Sequence, residues 1–183
     1  MLAAAPLLCL GTVGTDVSAA ATAASPPCEG VNARPNADNA ASIGAATLCL
    51  IDRERIARHL HPLRDNGDLR TLATSQVHDM VRWNYFADDR PPGIGPMALV
   101  ASTHYQAHTR SLSIGQNIGW GTSQCATPAK MVAAWMADPP HRKIMLTGEY
   151  RDGGVGVMPA VPAVLGQELQ GATYAVEFAV RRF

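Results

Sequence analysis

At 183 residues the chain suits one domain plus a leader. Basic and acidic residues balance at 15 each, so charge gives no basis for a nucleic-acid or anionic-membrane partner. The six histidines become positive on acidification and are the groups most sensitive to mild acid.

Residues 1–24 read as an export signal. Leu2 to Val13 is an apolar run, shorter than the roughly 20 residues that span a bilayer. Small residues follow, and Ala21-Thr22-Ala23 offers a cleavage site, although no positive charge precedes the run. No other segment reads as a membrane span. Residues 25–40 form a Pro/Asn-rich extended arm. Export puts the remaining cysteines in an oxidising setting. Cys28 and Cys49 flank a loop-like stretch, and a bridge between them would staple the arm to the first helix. Closing such a loop is worth about 3 kcal/mol in the chain-entropy picture. Cys125 is then left over, a small loop residue with no adjacent His or acid to activate it.

A first helix is expected over Ala41–His59, with Ile43, Leu48, Ile51 and Ile56 near one face and Arg53, Glu54 and Arg58 outside. Pro62 ends it, and His59 and His61 read as groups at its negative end rather than as chelators. Asp65-Asn66-Gly67-Asp68 caps a second helix, Leu69 to about Tyr85. Its Leu69, Leu72, Ala73, Gln76, Val77, Met80 and Val81 keep the 3.6 period, with His78 at the boundary. Phe86 to Pro96 is irregular, Met97 to Thr103 a short helix, and TRSLSIGQN a polar loop. Gly115-Gln116-Asn117 is turn-prone, with a short buried strand starting at Ile118. Thr127 is the expected N-cap and Pro128 the first residue of a helix that buries Val132, Trp135 and Met136. Pro139-Pro140 ends it, leaving Asp138 at its C-terminus and His141 just past a rigid break, with a short helical turn from there to Leu146. Strands are expected over Gly153–Met158 and Ala172–Arg182, the latter alternating Tyr, Val and Phe with polar residues. Helices first and strands last make the class α+β.

GQNIGWG, AAWMADPPHRKIM and YRDGGVGV, preceded by LCLIDRER, HPLRDNGDLR and HDMVRWNYF, resemble the CAP superfamily (cysteine-rich secretory, antigen 5, pathogenesis-related 1) in its secreted bacterial SCP-like branch. The resemblance covers roughly Ala46 to Phe183 and puts the domain at 41–183. It implies a three-layer α-β-α sandwich with a central antiparallel sheet. It also implies a cavity lined by two His and two acidic residues, which in some members hold a divalent metal. Carried over residue by residue, His141 matches one His. Asp138 matches an acidic position that many bacterial members replace with Ser. Gln116 stands where the Gly-Glu-Asn motif has Glu, and Asp88 where Phe-x-His has its His. Gln116 therefore loses a charge and any general-base capacity while adding an amide donor. Asp88 supplies a carboxylate, with Asp89 beside it, in place of an imidazole.

The cavity set is Asp88, Gln116, Asp138 and His141. Of these, His141, Asp138 and Asp88 are weak metal candidates, and a weakly bound divalent cation is the one cofactor the set admits. It does not resemble a good zinc site. His104 and His108 read as solvated. A plainer alternative makes Gln116 and Asn117 backbone partners and His141 a satisfied couple with Asp138.

Three functions compete. The preferred one is a monomeric, secreted, non-catalytic binding module for a lipid, sterol or cell-wall component. The second is a metal-dependent hydrolase, peptidase-like, using His141 and Asp138 as acid and base; the neutral Gln116 argues against it. The third is an extracellular protein–protein interaction module without a small ligand. A Ser-His-Asp hydrolase is set aside because no serine lies in a G-x-S-x-G setting, and no glycine-rich phosphate loop is present.

Overall fold

The computed structural model describes residues 27–166 and 170–183. The export signal read over residues 1–24 lies outside them. Among the described residues no helix is long and apolar enough to cross a membrane.

A four-stranded sheet divides the molecule. Strand β4, Gly171–Arg182, is antiparallel to β2, Ser111–Thr122, on one side and to β3, Asp152–Met158, on the other. A two-residue strand β1, Arg64–Asp65, adds a parallel pair beyond β3, giving the order β1-β3-β4-β2. The expected antiparallel sheet is thus present with one short parallel addition, and β2 is an edge strand.

One face of the sheet carries α1, Ala40–Ile56, α4, Pro128–Ala137, and α5, Pro139–Met145. Ile43, Leu48 and Ile51 of α1 and Met131, Val132 and Trp135 of α4 pack there against Val155, Tyr174, Val176 and Phe178. The other face carries α2, Gly67–Arg82, and α3, Pro96–Ala101. There Leu69, Leu72, Ala73, Val77 and Met80 of α2 meet Ala175, Ala179 and Ile118. These are the three layers of an α-β-α sandwich. Asn66 caps α2 as expected, its side chain accepting from the amides of Asp68 and Leu69.

Several expectations are corrected. Gly115-Gln116-Asn117 is not a turn, and TRSLSIGQN is not a loop; both lie in or run into the continuous strand β2. The glycines of β2 serve close packing instead. A Cβ at Gly115 would stand 2.5 Å from the Tyr150 hydroxyl. Strand β4 is buried on both faces rather than half-exposed, so its Thr173 and Glu177 point into the protein. Ile56 is 46% exposed because α1 ends there. Thr127 precedes α4 but makes no cap; its hydroxyl donates to the Gln124 carbonyl. Helix α4 ends at Ala137 with Asp138 as its C-cap, and the short helical turn expected after His141 is α5, which begins two residues earlier because the prolines that end α4 also start it.

The Cys28–Cys49 bridge is formed, with Cα atoms 5.8 Å apart and a sequence separation of 21. Cys125 is also disulfide-bonded, which corrects its reading as a leftover thiol. Replacing Cys28 and Cys49 with Ser should lower stability by about 3 kcal/mol, the value for a loop of this size. Urea unfolding of the double variant under oxidising conditions checks this.

Candidate functional site

Gln116 of β2 and Glu177 of β4 are cross-strand partners. Side chains alternate along a strand, so Glu177 shares its face with Ala175 and Ala179 and lies beneath α2. The Gln116 amide donates to Glu177 Oε1 at 2.5 Å, and both residues are buried. Above them Gln76 of α2 holds the segment that follows the helix. Its amide nitrogen donates to the Ala87 carbonyl at 3.0 Å and the Asp88 carbonyl at 3.3 Å, and its oxygen accepts from Arg90 Nε at 2.9 Å. Arg90 Nη1 pairs with Asp79 at 2.8 Å. One buried glutamine on the apolar stripe of α2 therefore sets where Asp88 stands.

The other wall comes from the opposite layer. Asp138 caps α5, its Oδ2 accepting from the His141 amide at 3.3 Å and lying 2.5 Å from His141 Nδ1. Asn117, pointing away from Gln116, donates from Nδ2 to the His141 carbonyl at 3.1 Å and ties α5 to the edge strand. The His141–Asp138 couple is part-exposed and the Gln116–Glu177 pair buried. Together with Asp88, whose charge is coupled to both His141 and Glu177, they make a polar cluster at the edge strand, hereafter the cleft, with the buried pair as its floor.

Electrostatics connect the two. Burial pushes the Asp88 carboxyl up, the His141 charge opposes the rise and Asp89 adds to it. The hydrogen bond from His141 holds Asp138 below the usual carboxylate range. Burial pushes Glu177 up to about 7, against the Gln116 bond and the Arg90 charge and with the help of Asp88. Asp88 thus feels His141 on one side and is felt by Glu177 on the other.

Of the four residues expected to line the cavity, Asp138 and His141 are in direct contact, Asp88 lies within reach of their charge, and Gln116 sits behind, bonded to neither. Sequence reasoning missed Glu177, Gln76 and Arg90. A lone acid in YAVEFAV was the available signal, since a carboxylate flanked by apolar residues in a strand has to be paired or neutral once covered on both faces. Among the described residues no three His, Cys, Asp or Glu side chains are placed to hold a metal. Asp138 is committed to His141, Glu177 to Gln116, and the Arg90 cation acts on the floor. These residues do not fit a divalent cation. Two surface hollows of about 410 and 340 Å³ lie elsewhere, one along α1 and one beside the arm, so size alone does not mark the site.

An α-β-α sandwich with a polar cleft at its edge strand defines the class of protein. The model of the CAP family, described as the Cysteine-rich secretory protein family, matches residues 48–161, more than half of the chain. The protein belongs to that family. YkwD, an uncharacterised protein of Bacillus subtilis, is 32% identical over 107 residues, which is 58% of this chain and 39% of that protein. The chain therefore spans well under half the length of that relative. Among solved structures, an outer surface protein of Borrelia burgdorferi superposes with a TM-score of 0.59 at 15% identity, covering 74% of this chain and 90% of that one. An extracellular protein with an SCP domain from Bacillus anthracis gives 0.58 at 19% identity, covering 81% and 44%. These likenesses show the fold.

Proposed function

We propose that the protein is a secreted, non-catalytic binding module whose cleft takes the polar end of a lipid, sterol or cell-wall component. The observation that carries this reading is the exposure of large apolar side chains on either side of Asp88 in the chain: Trp83 at the end of α2 is 65% exposed, Ile94 43% and Met97 of α3 46%. Arg90 links that stretch to the cleft, since it pairs with Asp79 of α2 and its backbone with Ile94. A polar cleft beside exposed apolar side chains suits an amphipathic ligand. The acid–base groups are poorly disposed for turnover, because Glu177 is buried against Gln116 and His141 Nδ1 is engaged by Asp138. Export with removal of a leader over 1–24, an arm over 25–40 and a binding domain over 41–183 complete the proposal.

Binding to vesicles of phosphatidylcholine with and without sterol, followed by Trp fluorescence, tests it. Saturable binding weakened about tenfold by Trp83→Ser is expected, an aromatic anchor being worth at least that. Unchanged binding by the variant, or none by the parent, overturns the reading. Zn²⁺ titration should give no one-site isotherm that His141→Ala abolishes. The 2.5 Å His141–Asp138 contact is what favours the rival hydrolase. Hydrolysis of a peptide or ester substrate that is lost in His141→Ala would establish it instead.

A further inference from the structure

Buried polar atoms are seldom left unpaired, yet five side-chain atoms among the described residues have no hydrogen-bond partner. Besides Tyr85 Oη and Asn117 Oδ1, three belong to groups that act on one another: Glu177 Oε2 and Gln116 Oε1 of the bonded pair, and Nη2 of Arg90, whose charge acts on Glu177. Two of them belong to one acid–amide pair. With Glu177 ionised, both of these oxygens are acceptors and neither has a donor. Exchanging the amide oxygen and nitrogen of Gln116 brings no relief, since an amide oxygen would then stand 2.5 Å from Glu177 Oε1, a contact that itself needs a proton between the two oxygens. A single proton on the carboxyl resolves both, because its O–H then donates to the Gln116 oxygen while the amide donates back. The third atom, Arg90 Nη2, has no acceptor here, although the Arg90 charge acts on Glu177. An ionised Glu177 Oε2 is the acceptor it lacks.

We propose that Glu177 is a proton-binding site. In the folded protein it holds a proton shared with Gln116, and on losing it takes a hydrogen bond from Arg90, so that the proton controls the Asp88-bearing loop. The groups around it are few. Strand β2 offers the neutral Gln116, and β3 offers only Gly154 opposite. Helix α2 offers Gln76 and Asp79, the latter already paired with Arg90, and just past its end stands Tyr85, whose buried hydroxyl has no partner and feels the Arg90 and Asp79 charges. The loop offers Asp88, Asp89 and Arg90, and α5 contributes His141 through its effect on Asp88. Burial dominates this environment and favours the neutral acid, in keeping with a value raised to about 7. Arg90 is a lever because its backbone is bonded to Ile94 in both directions, at 3.0 and 2.8 Å. A guanidinium drawn toward β4 pulls on that bridge and hence on Asp88. The proposal concerns the proton alone and does not depend on the ligand reading above.

The sign follows from linkage. An acid whose folded value is raised favours folding fully below its unfolded value, 4.5 here, and that advantage is lost as pH rises to about 7, beyond which it is constant. Urea unfolding of the full chain and of Glu177→Gln across this window is the first test. The parent's unfolding constant should rise relative to the variant's by about tenfold per pH unit. Parallel pH dependences in the two proteins overturn the proposal. The second measurement needs no variant: the carboxyl ¹³C shift of Glu177 should titrate near neutrality, and an ordinary carboxylate midpoint overturns it. The amides of Arg90 and Ile94 should follow the same transition in the parent. In Glu177→Gln they should lose the part that tracks the Glu177 carboxyl. Amides that ignore the Glu177 transition overturn the lever.

Discussion

Arg55→Ala is expected to cost about 4 kcal/mol of stability, enough to unfold many domains of this size at moderate temperature. The Arg55 side chain is wholly buried. Its Nε donates to the His61 carbonyl at 2.9 Å, Nη1 to those of Met145 and Thr147 at 2.7 and 3.1 Å, and Nη2 to that of Tyr150 at 3.0 Å. One guanidinium thus joins the end of α1 to the end of α5 and to the turn that enters β3. Burial lowers its proton affinity, and the Asp52 charge opposes this. Truncation would leave four carbonyls short of a donor and Asp52 without its cation, in a space too polar to collapse. Each orphaned buried group costs about 1–3 kcal/mol, partly relieved by entering water. Lys in place of Arg keeps the charge but not the fork of donors, so Arg55→Lys should recover less than half of the loss. Urea unfolding of both variants at neutral pH checks this, and a loss under about 1 kcal/mol in Arg55→Ala would contradict it.

Nothing local marks Arg55 for this role. In LCLIDRER it is one of several charged residues near a helix end, where most are solvated, and its partners come from loops some 90 residues away. The same asymmetry runs through the cleft. Helix α2 was legible because two independent signals, the Asn66 cap and the apolar stripe from Leu69 to Met80, agree on one helix. The Asp138–His141 couple was legible because its members are three residues apart across a proline pair. Strand β2 was misread because Gly115 stands for close packing against Tyr150, and glycine read in one dimension means a turn. The family resemblance presented Gln116 as a lost charge. A carboxylate nevertheless stands against it on the neighbouring strand, 61 residues along the chain, and only the register of β2 against β4 makes them partners. Within-element features were open to pattern reading, and cross-element pairings that create the floor were not.

Gly156→Ala should cost about 3 kcal/mol and disturb the cleft without touching it. Strand β3 turns Val155 and Val157 to one core and Gly154 and Gly156 to α2. A Cβ at Gly156 would stand 2.2 Å from the Ala73 carbonyl carbon and 2.3 Å from the Thr74 nitrogen. Both are backbone atoms of a helix and have no rotamer to escape into, so the helix itself has to lift. Gln76 stands one turn along α2, and it alone bonds the Ala87 and Asp88 carbonyls while accepting from Arg90. Lifting α2 therefore loosens the loop and admits water over Glu177. At a temperature where the variant remains folded, the midpoint of Glu177 should move down toward the ordinary carboxylate range, since burial is what raises it. Gly67→Ala is the control: it lies in the same helix, and its added methyl meets only the flexible end of Arg70 at 3.9 Å. That variant should match the parent in stability and in the Glu177 midpoint. A Gly156→Ala protein that kept both would mean the seat of α2 on the sheet is not what keeps the cleft floor dry.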